Sequence, residues 1–108
     1  MLKPEDVVEL NKLCNGPGTL TRKDLLYSAF SAIDYYETPE LQICSIVRGI
    51  IKNHPFVDGN KRTALMVLYT LSETKQLHLI SDEKLFDAIV DIAKNNYSVE
   101  SIAKKVFK

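Results

Sequence analysis

The chain has 108 residues, 45% of them hydrophobic and 26% charged, a mix that argues against disorder and suits a single compact domain over residues 1–108. Its fourteen basic and fourteen acidic side chains cancel, which argues against a general nucleic-acid binder, because such proteins carry a basic excess to meet the phosphates. The opening MLKPEDVVEL lacks the apolar stretch of a secretory signal, and no apolar run approaches the roughly 20 residues that span a bilayer. The expectation is a cytoplasmic protein with no membrane contact and no direct nucleic-acid partner.

Six helices can be read in chain order, and no strand is needed. The first runs from Pro4 to about Cys14, with Glu5 and Asp6 favourably placed in its first turn. Asn15-Gly-Pro-Gly18 ends it as a loop. Thr21, with Asp24 three residues on, reads as a weak capping box for a second helix that carries Leu25, Leu26, Ala29, Phe30 and Ile33. The polar and aromatic segment Asp34–Thr38 breaks the pattern; its Tyr35-Tyr36 pair suits core packing and substrate contact equally. Thr38-Pro39-Glu40 is a strong start for a third helix reaching about Asn53. His54-Pro55 interrupts, since a residue before proline is disfavoured in the α region.

A fourth helix opens near Asn60 and extends to about Lys75. Its Ala64–Leu71 run is apolar on nearly every side, as in a central buried helix, and its Ala, Leu and Met favour helix over a buried strand. Ser81 or Asp82 caps a fifth, with Leu85, Phe86, Ile89, Val90 and Ala93 on one stripe. Ser98 caps a sixth, with Val99, Ile102, Ala103, Val106 and Phe107. Cys14 and Cys44 lack the close spacing of metal or redox pairs; they read as two buried thiols in a reducing compartment, a disulfide being the alternative. His78 has no partner in sequence and reads as surface.

Residues 54–62 break the local rules. Lys61 and Arg62 fall in the first turn of a helix, where the backbone dipole already presents positive charge, an unfavourable placement by roughly 0.3–1 kcal/mol each. A strongly anionic ligand would compensate it. A phosphate chain suits, because the N–H groups of Gly59, Asn60 and Lys61 form an anion-binding helix start and Gly59 permits a positive φ and close approach. Asp58 beside such a ligand is placed to hold Mg²⁺. His54 can take a proton from an attacking hydroxyl near neutral pH, and Phe56 would anchor the loop in the core. Singly, each has a plainer reading: His54 as a cap, Asp58-Gly59 as a turn, Lys61-Arg62 as a solvated face. Their union within nine residues at a loop-to-helix junction favours a functional site.

The stretch His54-Pro-Phe-Val-Asp-Gly-Asn-Lys-Arg62 is similar to the signature of the Fic/Doc family, His-x-Phe-x-(Asp/Glu)-Gly-Asn-(Gly/Lys)-Arg. Asn53 to Ala64 resembles the Doc (death-on-curing) branch, in which Lys follows Asn and Thr-Ala often follows Arg. Gly18–Leu26 resembles the family's upstream loop and helix, and the likeness extends over nearly the whole chain. The resemblance implies an all-α, six-helix bundle around a central buried helix, holding ATP at the helix start. It makes His54 the general base, Asp58 the Mg²⁺ ligand, and Gly59, Asn60, Lys61 and Arg62 the phosphate cradle. Lys61 replaces the second glycine of Fic enzymes, and Leu65 stands where they carry a second arginine.

Doc-like proteins share both departures and are associated with transfer of a phosphoryl group to a hydroxyl of a translation elongation factor, with ATP reversed so that its terminal phosphate reacts. The Fic inhibitory-helix pattern is missing, which points to control by a separate antitoxin protein. The expectation is a toxin kinase acting on a protein substrate. The rivals are a Fic-type AMP transferase, a non-catalytic helical module such as a helix-turn-helix DNA binder, and a degenerate relative that binds nucleotide without turnover.

Overall fold

The computed structural model describes residues 2–14 and 16–108; Asn15 of the expected Asn15–Gly18 loop lies outside the described residues. Six α-helices follow one another: α1 (Pro4–Leu13), α2 (Lys23–Ser31), α3 (Pro39–Asn53), α4 (Asn60–Thr74), α5 (Asp82–Lys94) and α6 (Val99–Val106), with a 3₁₀ turn at Ala32–Tyr35. Among the described residues extended pairing is limited to two isolated bridges, Leu20 with Phe56 and Leu79 with Phe107. The expected all-α bundle is the observed one. No helix of the described residues is long and apolar enough to cross a membrane.

Local chemistry sets most boundaries. Thr38 Oγ1 accepts the Leu41 N–H at 3.2 Å and Pro39 fills the first helical position of α3, where its missing N–H is not needed. Ser98 Oγ accepts the Ser101 N–H at 3.1 Å to open α6. The carboxylate of Asp6 turns back to accept the Lys3 N–H at 2.8 Å in α1. Ser81 occupies the N-cap of α5 without bonding through its hydroxyl; Asp82 and Glu83 follow and meet the dipole directly.

α3 is the hub. It packs against α2, α4, α5, α6 and the 3₁₀ turn, and Ile43, Cys44, Ile46, Val47, Ile50 and Ile51 give it a wholly buried flank. α4, whose apolar run suggested the central position, is its principal partner instead. α4 buries Ala64, Val67, Leu68 and Leu71, while Leu65, Met66 and Tyr69 are only half-buried. α1 lies on α2 and α4, and α5 and α6 pack on α3 and on each other.

Four local expectations need correction. Thr21 does not cap α2: its N–H and hydroxyl both point to the Pro55 carbonyl, at 2.9 and 3.4 Å, so Thr21 is tied to that segment and the helix begins at Lys23. Pairing with a distant segment has overridden a weak local cap. Phe86 leaves the α5 stripe and is 60% exposed, while Leu85, Ile89 and Ile92 are the residues the helix buries. Ile33 falls in the 3₁₀ turn rather than in α2. Of the two thiols, both free, Cys44 is buried but Cys14 only half so. Burial pushes the Cys44 thiol up to about 12, which makes it inert.

Candidate active site

The site is the junction between the end of α3 and the start of α4. The α3 helix stops because His54, held just before Pro55, leaves the right-handed region altogether: its φ and ψ are 46° and 60°, in the left-handed region. Such a conformation is costly for a residue with a Cβ, and it persists because both sides of the junction are fixed. Phe56 is 2% exposed and roots the loop in the core. The loop's main chain pairs with the segment before α2, through Thr21 N–H and Arg22 N–H to the Pro55 carbonyl at 2.9 and 3.2 Å and Val57 N–H to Thr19 O at 3.1 Å.

Asn60 closes the turn from inside. Its Oδ1 accepts the Phe56 N–H and its Nδ2 donates to the Phe56 carbonyl, each at 3.0 Å. This pair of hydrogen bonds to the main chain of one residue assigns the Asn60 side chain to loop geometry, and leaves its main-chain N–H as its contribution to any anion site. Gly59 precedes it with φ 77° and ψ 19°, the left-handed N-cap of α4, with no side-chain cap. A Cβ here would lie 3.1 Å from Asn11 Nδ2 and 3.2 Å from Arg62 Nη2, so the conformation calls for glycine and a side chain would also press on these neighbours.

The first turn of α4 holds no acidic residue, and among the described residues the N–H groups of Gly59, Asn60, Lys61 and Arg62 bond to no protein acceptor. These open donors border a cleft of about 440 Å³ lined by His54, Val57, Asp58, Gly59, Asn60, Lys61 and Arg62. His54, Asp58, Lys61 and Arg62 are exposed along it. Arg62 Nη2 sits 3.4 Å from Asp58 Oδ2, with the two side chains 52% and 73% exposed; a pair this wet and long contributes under about 1 kcal/mol and exchanges readily for a better-charged ligand.

The structure therefore gathers His54 and the Asp58–Arg62 segment in one cleft, with Phe56 beneath it in the core. It does not bring Tyr35, which is 85% exposed on the 3₁₀ turn, or Tyr36, half-buried in a separate hollow beside Ser45 and Arg48. His78 is exposed and contributes its carbonyl to the Lys108 N–H. Sequence reasoning missed Asn11 of α1, whose buried amide reaches the Asp58 carbonyl and the Thr63 hydroxyl, each at 2.9 Å. The available signal was a polar residue set in the apolar face of α1, one turn beyond Val7.

A family model described as the Fic/DOC family matches residues 2–72, well over half of the chain and inclusive of the whole junction. The chain belongs to the Fic/DOC family. No curated protein matches it. The Fic/DOC match ends within α4, so α5 and α6, which the resemblance in sequence had seemed to include, lie outside the matched span. Fic/DOC members are typically nucleotide-transferring enzymes that use ATP with Mg²⁺. Exposed cations, open N–H groups and a glycine that leaves room for close approach fit a polyphosphate at this place. Among the described residues that line the cleft, Asp58 alone carries a carboxylate, which fits a Mg²⁺ ion held chiefly by phosphate oxygens and water.

Proposed function

We propose that this protein is a Doc-like toxin kinase that transfers the γ-phosphoryl group of Mg-ATP to a serine or threonine hydroxyl of a protein target, a translation elongation factor being the target the resemblance implies. The observation that carries the reading is the first turn and a half of α4. Lys61 is exposed at the mouth of the nest, filling the place where a phosphate chain would run onward in a Fic arrangement. Leu65, one turn further, packs against the hydrophobic core, so the helix offers no cation there for a second or third phosphate. A nest that ends in this way suits a terminal phosphate better than an internal one.

In this mechanism the chain contributes position and charge. The N–H groups of Gly59, Asn60 and Lys61 would take the phosphoryl oxygens, and Lys61 and Arg62 would meet their charge. Arg62 must leave Asp58 to do so, which frees the carboxylate for Mg²⁺; the metal, when bound, would neutralise charge on the phosphates. His54 accepts the proton of the attacking hydroxyl while that oxygen bonds to the γ-phosphorus and the bond to the bridging oxygen breaks, with ADP leaving. Val57, 58% exposed in the cleft wall, offers the protein substrate an apolar contact beside His54. Control by an antitoxin protein completes the proposal.

Incubation of cell extract with the protein and either α-labelled or γ-labelled ATP tests the reaction. The proposal requires label on a protein from the γ position only. Label from the α position would make it an AMP transferase.

A further inference from the structure

The rule-breaking start of α4 needs support from outside the helix, and Asn11 supplies it. Asn11 is completely buried on α1, yet it sits at a place in the helix face where a leucine would give more apolar burial. Its amide is used fully as a donor: Nδ2 bonds the Asp58 carbonyl and Thr63 Oγ1, both at 2.9 Å. Its Oδ1 accepts the Gly18 N–H at 2.7 Å, and its own carbonyl takes the Gly16 N–H at 2.8 Å.

Three of the chain's four glycines gather on this one side chain. A Cβ on Gly16 would overlap the Asn11 amide, a Cβ on Gly59 would press on its Nδ2, and Gly18, at φ +72°, bonds it. Backbone has been brought up to the amide from the loop after α1 and from the signature loop alike.

The consequence is geometric. A trans peptide is planar, with its C=O and N–H pointing opposite ways. Asn11 draws the Asp58 carbonyl inward, so the N–H of the same peptide unit, that of Gly59, faces the other way, toward the cleft that Gly59 lines. The second bond, to Thr63 in the first turn of α4, fixes that turn against the same amide. We propose that Asn11 is a positioning residue for polyphosphate binding: it sets the orientation of the Asp58–Gly59 peptide and thereby aims the Gly59 N–H, and the first turn behind it, at the bound phosphate. The inference rests on the proposal that this helix start binds Mg-ATP.

Asn11→Ala, Asn11→Asp and Thr63→Val are compared with Ile102→Val, a buried α6 change distant in sequence from the junction that serves as a control for lost stability. Each folded variant is titrated with Mg-ATP by calorimetry, and the amide signals and hydrogen-exchange rates of Gly18, Gly59, Asn60 and Lys61 are followed by NMR. Asn11→Asp keeps the shape and the acceptor for Gly18 but loses the donors, so it should weaken Mg-ATP by about tenfold or more and move the Gly59 and Asn60 signals, with Ile102→Val like the parent. Should Asn11→Ala not fold, Asn11→Asp and Thr63→Val decide. Variants that fold, bind as the parent does and leave the Gly59 amide unchanged would overturn the role. If the parent itself binds no Mg-ATP, the proposed function falls, and the amide signals of the free protein still judge Asn11: displaced Gly59 and Asn60 signals in the Asn11 and Thr63 variants alone support it, and unchanged signals refute it.

Discussion

α3 and α6 begin as stability alone would have a helix begin, and α4 does not. Thr38 and Ser98 each give a side-chain oxygen to a first-turn N–H, and Glu40 and Glu100 follow where negative charge meets the dipole. α4 opens on a left-handed glycine without a side-chain cap, no acidic residue in its first turn and Lys61 and Arg62 within it. Each of the first two starts bonds a first-turn N–H to a side-chain cap of the protein, and the third has no such cap. What separates these two helix starts from the one proposed to bind a ligand is thus visible as a local loss of stability, borne by α4 alone of the three.

The largest expected effect comes from removing the base beside the open start. His54→Ala should lower transfer by roughly 10²–10⁴-fold and leave Mg-ATP affinity near the parent's, as measured by single-turnover kinetics and calorimetry; near-normal turnover would place the base elsewhere. Asp58→Asn should reduce Mg²⁺-dependent transfer by about tenfold or more, since a neutral amide holds a hard cation poorly. A chelator should do the same to the parent, and activity indifferent to both would remove Asp58 from the metal site.

Smaller changes sharpen the contrast between the starts. Ser98→Ala deletes an ordinary cap and should cost about 0.5–2 kcal/mol of stability, with Mg-ATP affinity untouched. Lys61→Glu rewrites α4 as an ordinary start. It should raise stability by roughly 0.3–1 kcal/mol while weakening Mg-ATP, so that thermal melting and calorimetry move in opposite directions. A fall in both would mean that Lys61 stabilises the empty helix, and the contrast drawn above would be lost.

How much of this was legible beforehand depended on whether the cause was local. The starts of α3 and α6 were written in Thr38-Pro39-Glu40 and Ser98, because caps act over three residues. The junction at 54–62 could be marked out because its cations contradict a local rule. Thr21 misled because its partner, the Pro55 carbonyl, lies 34 residues away. Asn11 was invisible for the same reason, its bonds to Asp58 and Thr63 spanning 47 and 52 residues. Phe86 continued the period of α5 in sequence, but how wide a stripe a helix buries is decided by its neighbours. Asn60 was placed in the phosphate cradle from its position, and only the folded loop shows its amide bound to both ends of Phe56.

On the proposed function, the open start of α4 receives the terminal phosphate of ATP. A crystal structure with Mg²⁺ and a non-hydrolysable ATP analogue tests it directly. The expected result is the γ-phosphate on the N–H groups of Gly59, Asn60 and Lys61, with Arg62 moved from Asp58 onto the phosphate, the metal at Asp58 and the adenosine directed away. An α-phosphate in that nest, or a nucleotide bound elsewhere on the protein, would contradict it.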